Sequence, residues 1–171
     1  VYKEVIKTID PAKIILIGCS AGGGLTVTTC LKIKELNLPQ PRAIVLLSAW
    51  LDLNATLPSY KKNAQIDALL DYNSISDTAY LYAKDDLSNP LLNPLTSDLT
   101  GFPETFAQVG THEMLIDDSI YLTKRLTEYG INNTLDICQG GFHAWQLFNN
   151  HIKESQDSIV NAVEFIKKLD S

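Results

Sequence analysis

The stretch Lys13-Ile14-Ile15-Leu16-Ile17-Gly18-Cys19-Ser20-Ala21-Gly22 joins an unbroken apolar run to a turn rich in small residues. The run Lys13–Ile17 is typical of a β-strand buried on both faces, as strands of parallel sheets are. Residues from Ala21 to about Glu35 predict a helix, so the turn connects a strand to a helix. A Gly-x-Ser-x-Gly sequence in that context indicates that Ser20 is a nucleophile held above the carboxyl edge of a sheet.

Short β-branched runs alternate with longer helical segments along the 171-residue chain. Further strands are predicted at Ala43–Leu47, Thr105–Val109 and Thr134–Cys138. Two further helices are predicted, one with Leu122, Leu126 and Tyr129 on one face, and one near Ser155–Leu169 with a stripe of Ile159, Val163 and Ile166. This alternation predicts the α/β class: a doubly wound, three-layer fold with about four parallel strands and crossover helices.

The segment Asn54–Leu99 interrupts the alternation, because it is polar, contains Pro58, Pro90 and Pro94, and shows only short helical patterns. We interpret this segment as a cap-like insertion over one end of the sheet. The length of the chain suits one domain. Residues 1–171 are therefore predicted to form a single α/β domain that carries 54–99 as its insertion.

Composition and charge narrow the function classes. Apolar residues make up 45% and charged residues 20% of the chain, which is typical of a globular protein. The net charge of −6 argues against a nucleic-acid partner. No apolar run approaches the roughly 20 residues that a membrane-spanning helix needs. The expected partner is a small neutral or apolar molecule.

The three cysteines, Cys19, Cys30 and Cys138, show no metal-binding spacing, and an odd number cannot all pair in disulfides. At least two of them are expected to be small buried side chains. This usage favours a reducing, cytoplasmic setting. The sequence implies no metal and no organic cofactor.

Two other ligand-binding loops occur at turns of this kind. A dinucleotide-binding Gly-x-Gly-x-x-Gly loop needs glycine where Ser20 stands. A phosphate-binding loop needs Gly-Lys-Ser/Thr, and Gly24-Leu25 supplies no lysine. The remaining alternative is a glycine-rich turn in which Ser20 caps the following helix.

A serine nucleophile needs a histidine base and a carboxylate that orients the histidine, and in this type of fold the chain order is serine, acid, histidine. His143 follows the fourth predicted strand across Gly140-Gly141, so its ring can return over the carboxyl edge of the sheet. His112 precedes the acids in its neighbourhood, which excludes it by order. His151 is expected to be a solvated residue near the start of the last helix.

Glu113, Asp117 and Asp118 are the candidates for the acid. Glu113 lies in the loop directly after the strand Thr105–Val109, where catalytic groups gather. Asp117 and Asp118 open a helix, and a carboxylate there is explained by the free N–H groups of the first turn. Glu113 is therefore favoured, and Asp117 is the alternative.

At these residues the chain resembles the hormone-sensitive-lipase-like esterases, also called family IV bacterial esterases, which are α/β-hydrolases. The resemblance rests on five ordered blocks, Ile14–Gly23, Asn93–Leu95, Gly101–Pro103, Gly110–Asp118 and Gly141–His143. It implies a serine carboxylesterase with Ser20 as nucleophile, Glu113 as acid, His143 as base and the Ala21 N–H as an oxyanion donor. The chain departs from the family at Cys19, where aspartate is usual, and at Glu113, where aspartate is commoner.

No segment matches the family's His-Gly-Gly-Gly block, which supplies further oxyanion donors from an earlier loop. The resemblance thus implies the C-terminal half of a longer enzyme, in which Ile14–Ile17 alone would form an exposed apolar edge. A second chain or the N-terminal half of the enzyme is then expected to cover that strand. The alternatives to an esterase are a deacetylase or amidase of the same fold, and a non-catalytic fragment or small-molecule-binding module.

Overall fold

Four strands form one parallel sheet in the computed structural model, which describes residues 1–84, 86, 89–148 and 151–169. The strands are β1 (Ile15–Cys19), β2 (Ala43–Leu47), β3 (Glu104–Gly110) and β4 (Asn133–Cys138), and they lie side by side in chain order. All three neighbouring pairs are parallel. The predicted α/β class with four parallel strands is confirmed.

The helices of the described residues connect these strands and cover the sheet. They are α1 (Tyr2–Val5), α2 (Ala21–Glu35), α3 (Pro58–Lys62), α4 (Tyr72–Ala83), α5 (Ile116–Glu128) and α6 (Lys153–Lys168). Short 3₁₀ turns lie at Pro11–Lys13, Pro90–Leu92, Pro94–Thr96 and Trp145–Phe148. Between β2 and β3, the predicted insertion contains α3, α4 and two of these turns.

Alternate side chains of β2 enter two separate hydrophobic layers. Ile44 and Leu46 belong to a cluster that includes residues of α2 and α5. Val45 and Leu47 belong to a second cluster with Phe165 and other residues of α6. Because the side chains of a strand alternate between its faces, the two clusters lie on opposite sides of the sheet. The predicted three-layer arrangement is therefore observed.

The first strand begins two residues later than the apolar run predicts. Asp10 caps the turn Pro11–Lys13, and the Ile14 N–H donates to the Pro11 carbonyl at 3.0 Å. This turn takes Lys13 and Ile14 out of the extended run, whereas Gly18 and Cys19 pair with β2 and belong to the strand. Among the described residues β1 pairs with β2 alone, and Ile17 is 59% exposed at this edge.

Two predicted helix faces differ from the observed ones. Tyr129 lies beyond the end of α5 and is exposed, although Leu122 and Leu126 are fully buried as expected. On α6, Ile159 and Val163 of the predicted stripe are exposed, whereas its third residue, Ile166, is partly buried against the second cluster. The buried face carries Ser155, Ser158, Ala162 and Phe165. Its small side chains allow close packing against neighbouring elements, which the search for large apolar residues missed.

Gly110 ends β3 at a point where a side chain has no room. A Cβ atom there would lie 2.1 Å from the carbonyl oxygen of Gly141. We expect Gly110→Ala to lower the free energy of unfolding by at least about 2 kcal/mol, because the backbone on both sides must shift. Urea unfolding followed by circular dichroism measures the change. Gly22→Ala is the matched control, since a Cβ at Gly22 meets nothing within 4 Å. Equal loss of stability in both variants would contradict the prediction.

Candidate active site

Ser20 occupies a tight turn between β1 and α2. Its φ of 55° and ψ of −123° are unusual for a residue with a side chain. The last residue of β2 and the loop after it hold this turn: the Ser20 N–H donates to the Leu47 carbonyl at 2.9 Å, and the Trp50 N–H donates to the Ser20 carbonyl at 3.0 Å. A Cβ at Gly18 would lie 2.1 Å from the Gly22 carbonyl oxygen, so the turn requires glycine there. These contacts fix the strand-to-helix turn that the sequence predicts.

Ser20, His143 and Glu113 form a continuous hydrogen-bonded series. The Ser20 Oγ lies 2.9 Å from His143 Nε2, and His143 Nδ1 lies 3.0 Å from Glu113 Oε2. His143 and Glu113 are both buried. The loop Gly140–Ala144 brings the ring back over the sheet, with Ala144 at a φ of 55°. The three residues chosen from the sequence are therefore together in space.

Glu113 is a fully buried carboxylate with a donor for each oxygen. Its Oε1 accepts from the Gly110 N–H at 2.6 Å and from the Ser48 hydroxyl at 2.9 Å, and its Oε2 faces His143. Burial raises the pKa of Glu113 above its ordinary value, and the hydrogen bonds from His143, Gly110 and Ser48 act in the opposite direction. This arrangement suits a carboxylate that orients the imidazole and stabilises its protonated form.

Backbone N–H groups at the start of α2 lie beside Ser20, and two of them are already hydrogen bonded. The Gly23 and Gly24 N–H groups donate to the Ser20 carbonyl at 2.9 and 3.3 Å. The Ala21 N–H, one residue after the serine, has no acceptor among the hydrogen bonds of the described residues. A helix N-terminus favours negative charge. The Ala21 N–H is therefore available to an oxygen that gains charge next to Ser20.

Two mainly apolar cavities adjoin the Ser20 turn. One has a volume of about 140 Å³, and the other, which Ser20 itself lines, has a volume of about 320 Å³. Ala21, Trp50 and Thr78 line both. The segment 54–99 supplies much of their walls through Leu69, Leu70, Asp71, Ser74, Ile75, Tyr82, Leu91 and Leu92. Trp50 lines both cavities, whereas Trp145 is buried and lines neither of them.

The beginning of the segment 54–99 also clamps the loop that carries Glu113. The Asn63 side-chain amide donates to the Glu113 carbonyl at 2.7 Å, and the Ser59 hydroxyl donates to the Met114 carbonyl at 2.6 Å. In return, the Met114 N–H donates to Asp67 Oδ2 at 2.9 Å. These polar contacts were not visible in the sequence, because the partners lie about 50 residues apart.

The two acids after Glu113 stabilise loops and do not approach His143. Asp117 Oδ2 accepts from the Ser59 N–H at 2.8 Å. Asp118 is fully buried, and its Oδ1 accepts from the Leu51 and Asp52 N–H groups, each at 2.7 Å, and from the Tyr60 hydroxyl. Both were expected to cap the helix that they open, but they bind the segment after β2 instead. Burial raises the pKa of Asp118 to about 7.

The other polar candidates lie elsewhere. His112 and His151 are exposed, as expected of histidines outside the site. All three cysteines are free, but only Cys30 is fully buried, so the expectation of two buried thiols is wrong. Among the described residues, no group of three or more potential ligands is arranged to hold a metal. None of the described helices is long and apolar enough to cross a membrane.

The class of α/β hydrolases is defined by a parallel sheet that is covered on both faces. A strained serine turn follows one strand of the sheet, and a histidine loop follows another. The family described by the α/β-hydrolase fold matches residues 1–147. The chain therefore belongs to the α/β-hydrolase fold family.

Individual relatives extend this result. An esterase of Acinetobacter venetianus is 31% identical over 173 residues, which cover 99% of this chain and 57% of that protein. An acetyl-hydrolase of Streptomyces hygroscopicus is 32% identical, over 92% of this chain and 53% of that protein. The crystal structure of an esterase from the bacterial hormone-sensitive lipase family has a TM-score of 0.95 at 34% identity, over 99% of this chain and 58% of that one. The resemblance to this family is confirmed, and the chain spans a little over half the length of these relatives.

Proposed function

We propose that this chain carries the catalytic residues of a carboxylic ester hydrolase, with Ser20 as nucleophile, His143 as general base and acid, and Glu113 as the carboxylate that orients His143. The observation that carries the proposal is the pair of hydrogen bonds that join Ser20 Oγ to His143 Nε2 at 2.9 Å and His143 Nδ1 to Glu113 Oε2 at 3.0 Å. Distances of this length allow proton transfer between the groups. The names of the relatives, esterase and acetyl-hydrolase, support the same class of reaction.

The proposed reaction uses these three residues and the Ala21 N–H in turn. His143 Nε2 accepts the Ser20 proton while Ser20 Oγ attacks the ester carbonyl carbon. The carbonyl oxygen gains a negative charge and accepts a hydrogen bond from the Ala21 N–H. His143 then gives the proton to the leaving alcohol, which leaves an acyl group on Ser20. Water attacks this ester with His143 as base, and the carboxylic acid departs as Ser20 regains its proton.

The cavities indicate the kind of substrate and the role of the insertion. Apolar side chains dominate both walls next to Ser20, so an ester with apolar groups on either side of the carbonyl fits best. We propose that residues 54–99 act as a cap within a single domain, because they line both cavities and clamp the loop of Glu113. A carboxylic ester is favoured over an amide by the relatives' names alone.

A fluorophosphonate probe tests the nucleophile without knowledge of the substrate. We expect the purified chain to be labelled once, at Ser20, because an activated serine attacks the phosphorus atom and displaces fluoride. Labelling should disappear in Ser20→Ala and fall by at least about 100-fold in His143→Ala, which removes the base. Intact-mass spectrometry and peptide mapping measure both the extent and the position of the label.

The matched control is His112→Ala, which removes an exposed imidazole whose ring makes no hydrogen bond to the described residues. It should be labelled as fast as the unaltered chain. Labelling that persists in Ser20→Ala, or a chain that stays unlabelled while folded, would refute the proposed function. A p-nitrophenyl ester and the corresponding p-nitroanilide then separate an esterase from an amidase.

A further inference from the structure

The segment Leu47–Trp50, at the carboxyl end of β2, contacts Ser20, Glu113 and the residue that follows His143. Its backbone holds the nucleophile turn, through the Leu47 carbonyl and the Trp50 N–H on either side of Ser20. Its one hydroxyl side chain, Ser48, hydrogen bonds to the Glu113 carboxylate and to the backbone of Ala144, the residue after His143. No pattern in the sequence singles out Ser48, because it follows an apolar strand like many serines at strand ends.

Ser48 is completely buried and makes two contacts that matter for the site. Its Oγ donates to Glu113 Oε1 at 2.9 Å, and it accepts from the Ala144 N–H at 3.2 Å. The Gln146 Oε1 lies farther away, at 3.5 Å. An ionised carboxylate is the stronger acceptor, so the hydroxyl proton belongs to Glu113. Ser48 thereby links the acid to the residue that follows His143.

The backbone of Ser48 supplies an independent observation. Its φ of 48° lies in the left-handed region, which glycine occupies without a steric penalty and serine does not. Backbone alone would therefore favour glycine at this position. A serine kept there at a conformational cost indicates that its hydroxyl has a role, in the way that strain often accompanies a functional site.

We infer that Ser48 is a positioning residue, whose hydroxyl holds the Glu113 carboxylate with Oε2 toward His143 and at the same time holds the histidine loop through the Ala144 N–H. This inference rests on the proposed function. With Oε1 engaged by Ser48 and Gly110, the carboxylate cannot rotate freely, and Oε2 keeps the Nδ1–H tautomer of His143. That tautomer leaves Nε2 bare to accept the Ser20 proton.

His143, Cys19 and Cys138 are ionisable groups that interact electrostatically with Glu113. Burial raises the pKa of both thiols above the ordinary value, so they stay neutral near pH 7. A change at Ser48 therefore acts through the pair of Glu113 and His143.

The test uses Ser48→Gly, which removes the hydroxyl while relieving the backbone strain. We expect its rate of fluorophosphonate labelling at pH 8 to fall about 10- to 100-fold, as is typical when a hydrogen bond to a charged group is lost. The acid limb of the pH profile should move to higher pH, because a carboxylate that loses a donor binds protons more readily. Proton-coupled nitrogen NMR of the histidine ring should show loss of the nearly pure Nδ1–H tautomer of His143. The melting temperature of Ser48→Gly should not fall in proportion to the loss of labelling rate.

Ser158→Ala is the matched control, because its buried hydroxyl donates to the Ser155 carbonyl on α6 and touches no member of the site. It should keep the labelling rate, the acid limb and the tautomer of the unaltered chain. An unaltered tautomer and acid limb in a folded Ser48→Gly protein would overturn the role of Ser48. If the unaltered chain is never labelled, the proposed function fails, and the tautomer ratio in Ser48→Gly still decides whether Ser48 positions the pair.

Discussion

Glu113→Gln is expected to lower kcat for a p-nitrophenyl ester by about 10³- to 10⁴-fold with little change in KM, because the variant keeps the shape of the site and loses the charge that stabilises protonated His143. The buried Glu113 carboxylate accepts from His143 at 3.0 Å, and no other carboxylate of the described residues hydrogen bonds to this ring. The glutamine can also present its NH₂ group to Nδ1, which favours the wrong tautomer. Steady-state kinetics of the two proteins measure the ratio.

Asp117→Asn is the matched control for Glu113→Gln, since it makes the same chemical change four residues later. Asp117 accepts from the Ser59 backbone N–H at 2.8 Å and makes no hydrogen bond to His143. An asparagine can keep this bond, so kcat should stay within a few-fold and the effect should fall on stability. The opposite ranking of the two variants would show that the acid has been assigned to the wrong residue.

Asp118→Asn is expected to change how stability depends on pH. Asp118 is fully buried, and burial, together with the nearby Asp52, raises its pKa from 3.8 to about 7 in the folded protein. The folded state therefore holds this proton more tightly than the unfolded state does. The corresponding stabilisation is fully present below the unfolded pKa and is lost as pH rises through the folded pKa.

The size of the effect follows from the shift of about three pKa units, at about 1.4 kcal/mol for each unit. The unfolding free energy of Asp118→Asn minus that of the unaltered chain should rise by up to about 4 kcal/mol between pH 4 and pH 8. The asparagine oxygen can still accept from Leu51, Asp52 and Tyr60, and it cannot ionise. Urea titrations at a series of pH values measure the difference, and a difference that is constant with pH would contradict the prediction.

The local pattern of apolar and polar residues predicted the order of strands and helices in this chain. The runs Ala43–Leu47 and Ala21–Glu35 coincide with β2 and α2, because a strand buried on both faces is apolar throughout and a helix begins directly after the serine turn. The differences between the predicted and the observed elements also have local causes. The turn after Asp10 moved the first strand two residues along the chain. The small residues on the buried face of α6 hid that face from a search for large apolar side chains.

The members of the site were chosen from chain order and from their places at the ends of predicted strands. In parallel strands these ends meet at one edge, so Ser20, Glu113 and His143 could be expected together without coordinates. The sequence alone left Glu113 and Asp117 as alternatives, because both lie at the same edge, only four residues apart. Their different partners, His143 for one and the Ser59 N–H for the other, are tertiary contacts.

The amino-acid sequence by itself determined the class of fold, the order of its elements and the residue types that can perform acyl transfer, since each of these depends on spacing along the chain. Tertiary structure decided which groups support them: Ser48 and Gly110 on the Glu113 carboxylate, Trp50 in both cavities, and Asp118 beneath the loop after β2. These partners lie far apart in sequence or carry no distinctive pattern. Hydrogen bonds and burial depend on distances in space, and only the packed fold sets those distances.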